Sequence, residues 1–192
     1  MTFTETPLKG AYVAHLSPYK DNRGIFERIY CKEEFRTIGI NQEFVQMNYA
    51  VNKSKLTFRG FHFQYIPHCE TKLVTCVNGR IIDTIIDIRR NSPTFLQSFS
   101  IELSDQEPQS VIVPEGFAHG YITLEDNSCI FYLHTTYYEP SAARGLNYKD
   151  PLLNIKLKET PKIISEHDQS FPFLDSAFKG IDISNLKLEN NG

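Results

Sequence analysis

The chain has no tryptophan and only two methionines, so bulky apolar packing falls to its Leu, Ile and Val residues, 14 phenylalanines and 10 tyrosines. Its four cysteines, Cys31, Cys69, Cys76 and Cys129, stand far apart and include no Cys-x-x-Cys pair. With no secretory signal ahead of them, they read as ordinary reduced thiols of a cytoplasmic protein. No apolar run approaches the ~20 residues that span a bilayer, so no membrane partner is expected. The formal charge is only −3, which gives no reason to expect nucleic acid or an anionic membrane as partner. A few local Arg and Lys residues can still hold a small anion. Asn52-Lys53-Ser54 matches a glycosylation sequon, but without a secretory signal it carries no weight.

What remains is a chain of 192 residues, 41% of them hydrophobic, enough for one domain over residues 1–192 with a substantial core. Ala11–Leu16, Ile25–Tyr30 and Glu43–Ala50 read as strands, and Lys32–Ile38 as a short helix. Asp21-Asn22-Arg23-Gly24 reads as a turn. From His62 onward short strands follow at roughly 8–12-residue spacing, the pattern of a sandwich or barrel. Asn78-Gly79 between two apolar runs predicts a hairpin. The core is expected over about residues 5–175, with 176–192 a polar, poorly packed tail.

The chemistry-bearing stretch is Phe58–Lys72, FRGFHFQYIPHCETK. A period of two places Phe58, Gly60, His62 and Gln64 on one face and Arg59, Phe61 and Phe63 on the other. By itself His62 is more often a hydrogen-bonded structural histidine. Lys72 alone is a solvated lysine, Tyr132 a strand aromatic with its hydroxyl at the rim, and Asp168 a helix-start acid. A second histidine segment, Pro114–Gly120 (PEGFAHG), and the phenol of Tyr132 favour a joint site.

In order along the chain come Arg23-Gly24, Phe44-Val45-Gln46, Asn48, Phe58–Gln64, Lys72-Leu73-Val74 and Asp83. Asp87-Ile88-Arg89, Ser92–Phe95, Val113–Gly120, Phe131-Tyr132, Tyr137-Tyr138, Asp150-Pro151 and Ile164–Asp168 follow. This ordered set, over residues 5 to 175, resembles the dTDP-4-dehydrorhamnose 3,5-epimerase family. The resemblance implies an all-β fold, a cupin-type jelly roll (double-stranded β-helix) with short peripheral helices. It also implies a cofactor-free isomerase acting on a nucleotide-diphosphate-linked 4-keto-6-deoxy sugar. Epimerisation next to a ketone removes a proton from one face of the sugar and returns one to the other. The resemblance makes His62 the base, oriented by Asp168, and Tyr132 the acid. Lys72 then stabilises the enolate oxygen. Arg23, Arg59 and His119 are assigned to the diphosphate and sugar, with Gln46, Asn48 and Tyr138 completing the substrate site. A homodimer is expected, with residues of both chains reaching each site.

The sequence also departs from the family pattern. A family Glu falls on Arg28, a second on Ala143, and the usual Trp-Pro on Lys156-Leu157. The first two changes fall toward the nucleotide end, so a guanosine or cytidine diphosphate sugar stands beside the thymidine form. Two other classes compete. One is a metal-dependent cupin using His62, His68, Glu70 and His119, although the first motif here is His-Phe-Gln rather than His-x-His. The other is a catalytically silent sugar-nucleotide binder, which the presence of both base and acid disfavours.

Overall fold

The computed structural model describes residues 1–184 apart from 154, 156 and 176. Along the chain run β1 (Thr2–Glu5), β2 (Tyr12–His15), β3 (Tyr19–Asp21), β4 (Gly24–Phe26), α1 (Lys32–Arg36), β5 (Gln46–Asn52), β6 (Thr57–Gln64) and β7 (Lys72–Asn78). They continue with β8 (Arg80–Asp87), β9 (Ser98–Ser104), β10 (Gln109–Val113), β11 (Phe117–Thr123), β12 (Ser128–His134), β13 (Ala143–Gly145), β14 (Ile163–Ile164) and α2 (Glu166–Gln169). One sheet has the order β1-β2-β10-β7-β12-β5 and the other β13-β6-β11-β8-β9, with β14 beside β6. From β5 to β8 the chain changes sheet at every step, and the result is an all-β jelly roll with α1 and α2 at its periphery.

Three apolar layers explain the strand sequences. Between the sheets lie Val74, Val111 and Ile130 from the first and Ile81, Ile85, Leu103 and Phe117 from the second. The second sheet's outer face carries Phe58, Phe61, Ile82, Ile86 and Ile122, covered by Leu146, Leu153 and Ile181. The first sheet's outer face sets Leu73 and Ile112 against Phe35 of α1. A strand buried on both faces has no polar side to show, which is why β8 reads as RIIDTIID rather than as a strict alternation. None of the four cysteines is paired, and burial pushes the Cys69 and Cys76 thiols up to about 12. Among the described residues no helix is long and apolar enough to cross a membrane.

Three expectations are corrected. Asn78-Gly79 is no hairpin, because β7 and β8 belong to different sheets. Gly79 alone of the pair has a positive φ, 74°, whereas the tight two-residue hairpin turn requires it at both positions. The dipeptide instead turns a corner, with Gly79 N–H donating to Asp105 Oδ2 (3.0 Å). Second, the alternation of β6 breaks at a bulge, since Gly60 and Phe61, between Arg59 and His62, oppose the single Gly120 between His119 and Tyr121. Arg59 therefore joins His62 on the pocket side, and Phe58 packs with Phe61 in the outer core. The two backbones nearly touch there: a Cβ on Gly60 would sit 2.5 Å from Gly120 Cα. Third, residues 177–184 are not a loose tail. Phe178 stacks on Phe95, and Ile181 is buried and bridges to Arg89. Residues 185–192 and Lys156 lie outside the described residues, and the strand expected over 25–30 ends at Phe26.

The Asp87-Ile88-Arg89 and Ser92–Phe95 motifs form a structural knot. Asp87 Oδ1 accepts from Arg89 Nε (2.9 Å), and Oδ2 from Arg89 Nη2 (2.7 Å), Ser92 Oγ (2.5 Å) and Thr94 Oγ1 (2.6 Å). Burial by itself raises the Asp87 carboxyl, but these donors outweigh it and hold it below its ordinary value. Removing one partner of a buried ion pair costs about 3–5 kcal/mol, so Asp87→Ala should lower stability by that amount in urea unfolding. The wild-type contribution is present above the ordinary carboxylate range and lost as pH falls through the depressed native value. Urea midpoints equal for wild type and variant at neutral pH would contradict this.

Candidate active site

A cavity of about 340 Å³ opens between the sheets and is lined by Gln46, Asn48, Arg59, His62, Lys72, Tyr138 and Asp168, among others. His62 stands on β6, where its Nε2 lies 2.8 Å from Asp168 Oδ1. Asp168 reaches it from α2, whose first turn is capped by Ser165 Oγ accepting from Asp168 N–H (3.0 Å). Asp168 Oδ2 also accepts from Gly60 N–H (3.1 Å), tying the short helix to the bulge. Burial alone raises the Asp168 carboxyl, yet the His62 hydrogen bond and charge, with Gly60 and Ser165, hold it below its ordinary value. An ionised Asp168 makes Nε2 of His62 the protonated nitrogen and leaves Nδ1 as the basic one. The edge of Phe171, 5.8 Å from the imidazole between ring centres, packs against it.

Lys72 opens β7 on the facing sheet and is buried, its Nζ 3.2 Å from Glu70 Oε1. Arg59 lines the cavity with Nε donating to Asn52 Oδ1 (2.8 Å). Asn52 is itself buried and also accepts from Tyr121 O–H (3.2 Å), so the sequon asparagine serves as an internal anchor. Tyr132 does not line the cavity in the single chain; it stands half-buried beside lining residue His134, 6.2 Å between ring centres. Burial, and then the neighbouring Tyr121 phenol, push Tyr132 well above its ordinary value.

Two assigned residues lie elsewhere. His119 is buried with Nε2 2.6 Å from Asp83 Oδ2 and is not among the residues that line the cavity. Arg23 projects from the β3–β4 hairpin, its side chain 82% exposed and ion-paired with Asp21. It lines only a separate shallow depression with Tyr19 and Phe26. Nor do the four residues of the metal reading come together. His62 is held by Asp168, Glu70 by Lys72 and His134, and His119 by Asp83. Among the described residues no group of three or more His, Cys, Asp or Glu is placed to hold a metal.

Sequence reasoning missed His134 and gave Glu70 only a metal role. His134 shares the parity of Tyr132 along β12, and that signal alone was enough to place the two on one face. Arg144, on edge strand β13, also lines the cavity and was not anticipated.

A jelly roll with a His–Asp pair and a buried lysine around one cavity between its sheets is the architecture of a cupin-type carbohydrate isomerase. The chain belongs to the dTDP-4-dehydrorhamnose 3,5-epimerase family, whose model matches residues 5–176. It is 34% identical over 180 residues to the dTDP-4-dehydrorhamnose 3,5-epimerase of Salmonella typhimurium, covering 92% of this chain and 97% of that protein. The crystal structure of the Bacillus anthracis enzyme with TDP and PPi bound is similar, at TM-score 0.87 and 35% identity, covering 90% of this chain and 99% of that one. A third relative is the Legionella pneumophila dTDP-6-deoxy-D-glucose-3,5-epimerase, solved in complex with dTDP-4-keto-L-rhamnose. It aligns at TM-score 0.86 and 29% identity over 94% of this chain and 97% of that one.

Proposed function

We infer that this chain inverts C3, C5 or both of a dTDP-linked 4-keto-6-deoxy sugar, in the cytoplasm, for deoxysugar synthesis. The observation that carries the reading is the oriented His62–Asp168 pair, 2.8 Å apart, with Lys72 lining the same cavity from the opposite sheet and Tyr132 two residues from lining residue His134 on β12. A sugar ring held between the sheets offers one face to each. His62 Nδ1 takes the proton next to the ketone, and the electron pair moves into an enolate whose oxygen is stabilised by Lys72. Tyr132, whose raised phenol keeps its proton at neutral pH, then delivers it to the other face. Ligands named for the related structures support the thymidine form, while Arg28 and Ala143 keep guanosine and cytidine in the test.

A homodimer fits the same reading. Met47, Tyr49 and Val51 on edge strand β5, with Ile25 and Phe26 on the β3–β4 hairpin, leave apolar side chains exposed. A second copy covering this surface would bring its own hairpin, and Arg23, toward the cavity. Incubation in deuterated water with a panel of thymidine, guanosine and cytidine diphosphate keto-sugars tests the proposal. Mass and NMR should place deuterium at C3 or C5 of the thymidine sugar. Absence of exchange with every member would sink it, and a monomer mass by light scattering would sink the dimer.

A further inference from the structure

Along the cavity wall five side chains form one hydrogen-bonded row whose direction is dictated from both ends. At one end the Tyr138 backbone N–H donates to Gln46 Oε1 (3.0 Å). Gln46 Nε2 donates to Asn48 Oδ1 (3.2 Å), and Asn48 Nδ2 meets His134 Nε2 (3.2 Å). At the other end Lys72 Nζ donates to Glu70 Oε1 (3.2 Å), while His134 Nδ1 meets Glu70 Oε2 (2.7 Å). Strand register builds the row, because Gln46, His134 and Lys72 lie directly opposite one another across β5, β12 and β7.

A backbone N–H and an ammonium only donate. An amide or a neutral imidazole accepts on one side and donates on the other, so it passes the direction along. Two donor ends pointing at each other need one link between them that accepts from both sides. A carboxylate is such a link, and Glu70 is the one carboxylate in the row. Burial by itself raises Glu70, but Lys72 and His134 together hold it below its ordinary value, so it stays ionised.

We propose that Glu70 is a positioning residue that sets the hydrogen-bond polarity of this wall. It fixes His134 with its proton on Nδ1, and through it the Gln46 and Asn48 amides, while anchoring the Lys72 ammonium. What the wall presents itself to rests on the epimerase reading; the polarity follows from the contacts alone. Glutamine at position 70 has the same shape but a single acceptor atom. If it accepts from Lys72, its amide donates to His134 Nδ1 and the imidazole proton moves to Nε2. Asn48 and Gln46 must then turn over, and Gln46 Nε2 is left facing the Tyr138 N–H, which cannot turn.

The test is 15N NMR of histidine-labelled full-length protein at mildly alkaline pH, with His134 assigned through His134→Gln. The wild type should show Nδ1 protonated and Nε2 bare. Glu70→Gln should move the proton to Nε2 or split it between the two. Its turnover number should fall about 10²-fold, the usual scale for misplaced catalytic groups, with KM changed less. The double variant Glu70→Gln/His134→Glu shifts the double acceptor one place along the row and should recover most of the lost turnover. The proposal is overturned if wild-type His134 carries its proton on Nε2 or on both nitrogens. It is overturned equally by a Glu70→Gln enzyme that keeps the Nδ1 proton and full turnover, or by a folded double variant no better than Glu70→Gln. A wild type inert toward every keto-sugar would defeat the epimerase reading while the NMR comparison still decides the polarity.

Discussion

His62→Ala is expected to lose about 10²–10⁴-fold in turnover and in solvent-deuterium exchange at the epimerised carbons, the ordinary yield of a general base. The side chain is 44% exposed on the cavity wall and holds no strand in place, so the fold should survive. Asp168 keeps the Gly60 N–H and the α2 cap when the imidazole is gone. Asp168→Asn should be milder, because it disturbs tautomer and basicity without deleting the base. Stopped-time exchange measured by mass spectrometry decides the matter. A His62→Ala enzyme exchanging at close to the wild-type rate would remove His62 from the mechanism.

Tyr132→Phe should separate exchange from inversion. His62 can still form the enolate, and Lys72 can still hold it. The base can then hand a solvent-derived proton back to the face it came from. Deuterium should therefore enter with retained configuration, while inverted product falls by much more than exchange does. Phenylalanine preserves the ring packed against the inter-sheet core, so a folding defect should not confuse the result. Equal loss of both activities would mean that the phenol also helps to form the enolate. Undiminished inversion would place the acid elsewhere, with Tyr137 and Tyr138 nearest in sequence.

The strands from β7 to β12 were legible because their apolar runs are short and sharply bounded. Part of the cavity lining was legible, because His62, Lys72 and Asp168 stand in a recognisable order. What escaped has definite causes. Period two cannot show the bulge at Gly60, so Arg59 was sent to the wrong face. Asn78-Gly79 has the composition of a hairpin, but only the sheet assignment of its flanks shows that it is a corner. Phe178, Ile181 and Ile183 are spaced among polar residues, and their burial depends on the outer face of a sheet formed far earlier in the chain. Arg23 belongs to a motif that reads as part of the site, yet a single chain leaves it outside the cavity.

His62 and Asp168 are 106 positions apart in sequence, and Asp168 arrives on a two-residue strand followed by a four-residue helix. Apart from the two residues of β14, both sheets are paired by β13. A ribosome therefore delivers the finished vessel before the part that arms it. Until residues 163–169 dock against β6, the His62 imidazole is without its Asp168 partner. On the proposed mechanism, the same clip released in a mature molecule should slow proton abstraction while β1–β13 stay paired.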